Sequence, residues 1–355
     1  MLIAIHETAG GFSDRWIAYC RREAVPHKIV NCLGSGIISD LRGADALLWH
    51  WRHQNAREQM LARHVIKSAE IMGLAVFPNI KTCWHFDDKV AQKYMLEAVG
   101  APLVPTWVFS DPESALRWVE ESTFPKVFKL RRGAGSANVR LVENNRQAAR
   151  LVRTAFGRGF LPTPGYLYDA RRRIRSARKR NVFWQALRRL PDTLGNIRRF
   201  NRRLGRETGY VLFQEFVPGN AFDTRVTIIG QRAFAFTRNV RPHDFRASGS
   251  GDIVYDRDRI RPECLGIARE VTRRVGAQSM AFDFVFSQER GPLIVEVSYC
   301  YDPQAVYNCE GYWDEHRGWT PGHYWPEEAI ITDLIRTLEA SPGPASPVTP
   351  PRPGP

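Results

Sequence analysis

No apolar run in this 355-residue sequence approaches the roughly 18–20 residues needed to cross a bilayer. The first eleven residues hold only a short apolar stretch before His6 and Glu7, without a basic leader, so an export signal is not expected. Cysteine is sparse and scattered. Cys20, Cys32, Cys83, Cys264, Cys300 and Cys309 form no C-x-x-C pair and share no zinc-like spacing with histidine. Reduced thiols and a cytoplasmic setting are the expectation. There is no Walker loop, no G-x-G-x-x-G run and no G-x-S-x-G element, so neither those nucleotide-binding patterns nor a serine-hydrolase elbow is indicated. His50, His53 and His243 stand in no pattern that gives them a chemical role.

What the chain has in excess is positive charge, a formal +14. Its location decides its meaning. Residues 157–209 carry fifteen Lys and Arg against Asp169, Asp192 and Glu207, which leaves only +2 for everything else. The basicity therefore belongs to one segment. Within it Val182, Phe183, Ala186, Leu187 and Leu190 fall on one helical face while Arg188 and Arg189 lie off it. Three readings of this inserted excursion stay open. It is a solvated helical cover, a stretch (166–206) that docks on an anionic membrane surface, or a contact to RNA or an acidic substrate. With so little basicity elsewhere, nucleic acid is the least expected partner.

The remaining sequence reads as two folded units and a tail. In residues 1–80 strand and helix patterns alternate: Leu2–Ile5, Phe12–Arg22, His27–Cys32, Ala46–Trp51, Glu58–Met72 and Leu74–Phe77. That order predicts a small parallel α/β domain. From residue 81 to 340, minus the excursion, helices begin near Asp87, Pro112, Arg146, Cys264 and Glu327. Strands are expected at Val104–Phe109, Val127–Leu130, Val139–Val142, Tyr210–Val217, Arg225–Ile229, Ala233–Arg238, Ala281–Phe286 and Leu293–Val297. Helices on one side of an antiparallel sheet are the expected packing. Residues 341–355 are mostly Pro, Gly, Ser and Thr and are expected to be disordered.

Four stretches carry chemistry. F-P-K-V-F-K-L-R-R-G-A-G-S-A-N-V puts Lys129 at a strand end before a small-residue loop that can expose backbone N–H groups to a polyphosphate. Q-E-F-V-P-G-N-A-F-D-T-R-V is a strand, a turn and a second strand bearing Asp223 and Arg225. A-F-D-F-V-F and L-I-V-E-V-S place Asp283 and Glu296 among apolar neighbours on two strands. Carboxylates so placed are rarely buried without a partner or a cation, and a facing pair suits Mg²⁺. T-R-N-V-R-P-H-D-F-R-A-S-G-S-G-D gathers Arg238, Arg241 and Arg246, each able to hold phosphate or carboxylate oxygens bidentately.

The order and spacing of these pieces, beginning with Asp88–Lys89 at a helix start, resemble the ATP-grasp superfamily and within it the RimK-like carboxylate–amine ligases. The resemblance runs from about Pro78 to Ile335, interrupted by the basic insertion. It implies an ATP-grasp fold, α/β and α+β, behind an N-terminal Rossmann-like domain. It implies ATP and Mg²⁺. Lys89 and Lys129 would bind the phosphates, with Lys129 also near the adenine. Arg132 to Ser136, including Gly133 and Gly135, would form the mobile loop over them. Gln214, Glu215, Phe216 and Val217 would be the hinge that reads the adenine edge, and Asp223 a ribose or substrate contact. Arg225, Arg238 and Arg246 would face the γ-phosphate and an acyl phosphate. Asp283 and Glu296 would hold the metal. The family's third ligand is an asparagine, and here that position is Ser298.

On this reading the chain is a ligase that joins a carboxylate to an amine through an acyl phosphate. Its substrates would be small molecules or glycan or peptide precursors, and its place the cytoplasm or the inner membrane face. Two alternatives stand beside it: an ATP-binding module without ligase chemistry, suggested by Ser298, and a basic membrane- or nucleic-acid-associated adaptor. The aromatic run Tyr307, Tyr312, Trp313, Trp319, Tyr324 and Trp325 is read either as an acceptor-stacking surface or as domain packing.

Overall fold

The computed structural model describes residues 1–52, 55–133, 138–161, 205–241, 244–247, 249–316 and 318–340. Gly135 and Ser136, the apolar face at 182–190 and the 341–355 tail lie outside these residues.

Four short strands open the chain: β1 (Ile3–His6), β2 (His27–Val30), β3 (Ala46–Leu48) and β4 (Ala75–Phe77). They form a parallel sheet in the order β2-β1-β3-β4. Ile3, Ala4, Ile5, Ala46, Leu47 and Leu48 are fully buried, as expected when both faces are covered. Alternation divides them. Ile3 and Ile5 pack with Phe12, Trp16 and Ile17 of α1 (Phe12–Arg22), whereas Ala4 and Leu47 pack with Ala62, Val65 and Ile66 of α3 (Ala56–Ile71). Asn55 caps α3 by accepting the Arg57 N–H. Two single turns, α2 (Ile37–Asp40) and α4 (Ile80–Cys83), are too short for periodicity to reveal.

α5 (Lys89–Ala98), capped by Asp88, leads into the next layer. There β5 (Thr106–Phe109), β6 (Lys126–Lys129), β7 (Val139–Val142) and β8 (Val211–Glu215) form an antiparallel sheet ordered β5-β8-β6-β7. α6 (Pro112–Glu121) and α7 (Asn145–Phe156) cover it through Ala115, Val119, Ala148 and Val152 against Phe128 and Phe213. The two ends of the arginine-rich segment meet. Phe160 and Glu207 exchange backbone hydrogen bonds of 2.8 and 2.9 Å.

The largest sheet is antiparallel, ordered β13-β12-β9-β10-β14-β15 with β11 paired to β10. Its strands are β9 (Phe222–Ile229), β10 (Arg232–Asn239), β11 (Ile253–Val254), β12 (Ser279–Ser287), β13 (Gly291–Ser298), β14 (Gly311–Trp313) and β15 (Trp319–Pro321). One face is apolar: Val226, Ile228, Phe282, Phe284 and Val297 pack against Cys264, Leu265 and Ala268 of α8 (Pro262–Val275). The aromatic run packs on itself. Trp313 and Trp319 oppose across β14–β15 with ring centres 4.7 Å apart, and Tyr307, at the end of α9 (Pro303–Tyr307), stacks on Trp325 at 4.0 Å. Of the two expectations for these rings, packing accounts for the contacts seen.

α10 (Pro326–Ala340) departs from the linear division of the sequence. Its Ile330, Ile331 and Leu334 join one core with Ile3, Ile5 and Phe77 of the parallel sheet and Ile229 and Phe234 of the large one. The last described helix therefore cements both sheets. Among the described residues no helix is long and apolar enough to cross a membrane.

At the start of α10 sits a buried carboxyl. Glu327 is 3% exposed, and its nearest cation, Arg15 Nε, is 3.7 Å from Oε1. Burial pushes its pKa up to about 7, more than Arg15 and a backbone hydrogen bond can offset. A carboxyl whose folded pKa is raised stabilises fully below its unfolded value and loses that contribution as pH rises through 7. Glu327→Gln should therefore raise stability at pH 8 by on the order of 2 kcal/mol and leave it unchanged at pH 4. Urea unfolding at the two pH values checks this.

Candidate active site

Strand alternation assembles a row of charge on the face of the large sheet opposite α8. Arg225 on β9 pairs in register with Asp283 on β12, which in turn opposes Glu296 on β13. Two residues along the same face of β9, Asp223 opposes Arg238 on β10. Arg225 donates Nε and Nη2 to the two Asp283 oxygens at 2.7 and 2.8 Å. Arg238 donates Nε and Nη2 to Asp223 at 2.8 and 2.6 Å, and its Nη2 also lies 2.9 Å from Asp283 Oδ1. Burial works against the charge on Asp283, but the two guanidiniums outweigh it and hold the carboxyl below the usual carboxylate range.

A β-bulge completes the arrangement. Asp283 pairs with Glu296 while Phe284 pairs with Ile294, so Val295 is an extra residue on β13. Val295 and Glu296 both line the cleft, and the Val295 carbonyl accepts from Lys129 Nζ at 3.5 Å and from Gln214 Nε2 at 3.4 Å. Next to the bulge, Ile294 is bound through its N–H to Pro102 O and through its carbonyl to Val104 N. These two bonds tie the large sheet to the segment entering β5.

The cleft between the two antiparallel sheets has a cavity volume of about 140 Å³ and opens to solvent at its mouth. Val104, Val127, Val139, Val285 and Val295 make apolar walls, and Phe216 meets Phe245 edge-on at 5.7 Å. Lys129, Gln214, Glu215, Phe216, Val217, Asp223, Arg246, Asp283 and Glu296, all singled out in the sequence, line this one cleft. Lys89 stands behind it, with Nζ 3.0 Å from Glu296 Oε1 and donating to the Gly133 carbonyl at 2.8 Å. The lysines differ in their surroundings. For Lys89 the pull of Glu296 and then Asp87 exceeds the cost of burial, and its pKa rises. For Lys129 burial dominates over the attraction of Glu296, and its pKa falls to about 8.

Several of the expected site residues are engaged with other protein groups. Arg225 and Arg238 are not among the residues lining the cleft. They sit against the acids, and the Arg238 side chain is only 7% exposed. Arg238 anchors both Asp223 and Asp283. Arg246 does line the cleft but is wrapped on Asp244, with contacts of 2.7–3.1 Å. Ser298 does not line it. Its hydroxyl donates to Cys300 O at 2.9 Å and accepts the Cys300 N–H at 3.1 Å, a closed local turn. In the hinge, the Glu215 N–H is already bound to Pro105 O, which removes it as an adenine donor.

Sequence reading missed Glu207. Its side chain is 3% exposed, lies within 3.6–3.7 Å of Arg132 and Arg131, and accepts the Tyr210 hydroxyl at 2.8 Å. Tyr210 in turn accepts the Arg131 N–H. This cluster roots the loop that follows β6. The available signal was Glu207's rarity, one of only three acids among fifteen Lys and Arg in residues 157–209.

Comparison with solved structures matches the fold over almost the whole chain. A RimK-domain ATP-grasp protein from Sphaerobacter thermophilus superposes with a TM-score of 0.55 at 17% identity, covering 94% of this chain and 99% of that one. D-cycloserine synthetase gives 0.55 at 13% identity, with 94% and 99% covered. The chain has the ATP-grasp fold. D-alanine–D-alanine ligase from Bacillus anthracis, solved with ATP, gives 0.52 at 11% identity over 95% and 97%. At these identities the ATP-grasp likeness is one of architecture. No family model matches the sequence, and no curated protein matches it.

Proposed function

We propose that this protein uses ATP to activate a carboxylate as an acyl phosphate and joins it to an amine. The observation that carries the reading is the convergence of Lys129, Asp283, Glu296 and the Gln214–Val217 hinge on one apolar-walled cleft between two sheets. A carboxylate is a poor electrophile, and phosphorylation turns one of its oxygens into a leaving group. The transition state spreads charge over oxygens, so fixed positive charge is the main requirement on the protein. Lys129 and Lys89 supply it, and the hinge and the valine walls orient the base.

The acid pair fits a hard cation. Asp283 and Glu296 face each other in register, and the Lys89 ammonium already lies 3.0 Å from Glu296. Asp283 and Glu296 are the residues that would hold Mg²⁺, which would supply positive charge to offset that of the phosphates. Arg225 and Arg238 keep Asp283 ionised and aligned for that task.

The test is phosphate release from Mg-ATP with pooled amino acids, peptides and amines. Glu296→Gln is expected to cut turnover at least about 100-fold while the melting temperature in the absence of nucleotide is retained. A second reading is favoured by Ser298, whose hydroxyl is spent on Cys300: a nucleotide-binding module without ligation. It would show ATP-dependent thermal stabilisation and no phosphate release with any acceptor. Absence of both would end the nucleotide reading.

A further inference from the structure

The residue before the α5 cap has a backbone conformation that residues bearing a side chain seldom adopt. Asp87 has φ +54°, in the left-handed region. That conformation accompanies an unusual placement of its carboxylate. Oδ1 accepts the Gly133 N–H at 2.8 Å, and Oδ2 accepts Gln59 Nε2 at 2.9 Å. The Gly133 carbonyl is taken by Lys89 Nζ. The glycine that leads into the loop is thus fastened on both its N–H and its C=O by residues two apart. It has φ +119°, a backbone conformation that residues with a side chain rarely adopt, which is what calls for glycine here.

Gln59 belongs to α3 of the parallel-sheet unit. Its neighbour Glu58 is buried and accepts the Arg52 N–H at 2.7 Å and Asn55 Nδ2 at 2.7 Å. Arg52 follows β3 at the carboxyl edge of that sheet, the edge at which open α/β sheets take ligands. A continuous run of hydrogen bonds and adjacent residues therefore leads from this edge through the start of α3 and Asp87 to Gly133.

We infer that Asp87 is a positioning residue that couples the parallel-sheet unit to the loop after β6. One carboxylate oxygen reads the position of α3 and the other sets the position of Gly133. A ligand that shifts the start of α3 changes how the loop is held. A nucleotide that seats the loop stabilises the edge in return, since coupling between sites is reciprocal. The nucleotide side of this statement rests on the ATP reading above. The anchoring of Gly133 does not.

The test uses the full chain with Asp87→Gly, Asp87→Asn and Gln59→Ala. Glycine accepts a φ of +54° without strain, so Asp87→Gly is expected to hold its melting temperature within about 2 °C. Two readouts follow. In the absence of nucleotide, trypsin cleavage after Arg131 or Arg132, mapped by mass spectrometry, is expected to quicken several-fold in Asp87→Gly and in Gln59→Ala. Affinity for Mg-ATP by calorimetry is expected to fall about tenfold in Asp87→Gly and about threefold in Gln59→Ala. Asp87→Asn, whose amide oxygen can still accept the Gly133 N–H, should recover most of both. Unchanged cleavage and unchanged affinity in Asp87→Gly overturn the inference. So does a loss that follows melting temperature and that Asp87→Asn does not rescue. If the wild-type protein fails to bind Mg-ATP while the cleavage pattern holds, it is the ATP reading that fails and the anchor that stands.

Discussion

Lys129→Met should leave the protein folded and at least as stable, yet unable to hold ATP. The lysine is 5% exposed, and its hydrogen bond to the Val295 carbonyl is a long one of 3.5 Å. Burial lowers its pKa from the ordinary 10.5 to about 8. The sign of the effect follows from that direction. A base whose folded pKa is depressed burdens the fold while it is charged, and the burden lifts as pH climbs from 8 to 10.5. Methionine fills similar space without the charge. Its gain, on the order of 2 kcal/mol, should be full at pH 7 and should vanish above about pH 10.5. Nucleotide affinity should move the other way, falling on the order of 100-fold with the loss of a charge aimed at phosphate oxygens. In the wild-type protein, affinity should decline as pH rises past 8, with the midpoint displaced upward by the bound anion. Paired urea melts and nucleotide titrations between pH 6.5 and 10 measure both. A variant that keeps its affinity for Mg-ATP would remove Lys129 from the site.

Arg238→Gln should be the most destabilising single change at the cleft. Arg238 is enclosed between Asp223 and Asp283 and makes charge-assisted contacts of 2.6–2.9 Å to both. Removing one side of a buried ion pair leaves an uncompensated charge, which costs about 3–5 kcal/mol. Arg225 still holds Asp283, so Asp223 takes most of the damage. Asp223→Asn in the same chain should recover a large part of the loss, because the pair removed together leaves no orphan charge. The deficit should also shrink in acid. Burial already raises the pKa of Asp223, so once orphaned it takes up a proton as pH falls and the uncompensated charge is removed. Equal stability of Arg238→Gln and wild type at pH 7 would show that the buried quartet is not an interdependent unit.

Legibility of this fold in its sequence follows the length of each signal. Phe12–Arg22 and Pro112–Glu121 stand where apolar spacing and an aspartate or proline near the start put them, because helices of that length carry several turns of periodicity. α2, α4, α9 and the two-residue β11 carry less than one clear period and left no mark. In the site, Asp283 and Glu296 announce themselves as acids inside apolar strands. What alternation cannot tell is which partners they find. The sequence points Arg225 and Arg238 toward a phosphate, and cross-strand register sets both beside the acids. The bulge at Val295 breaks the period of two by a single residue, which no pattern in L-I-V-E-V-S betrays. Glu207 and Asp87 act through contacts 40 to 80 residues away in sequence, and only the folded chain brings them to Arg131, Arg132 and Gly133.

The paired amide bonds between Phe160 and Glu207 give the molecule a neck. A stretch of chain pinched shut at its base can grow, shrink or be exchanged without pulling on the strand that follows it. The entropic penalty of closing it rises only slowly with length. β8 can thus keep its register with β5 and β6 whatever the neck encloses. Yet the residue that closes the neck also grips the arginines after β6. Anything that forces the neck apart would be felt at Arg131 and Arg132.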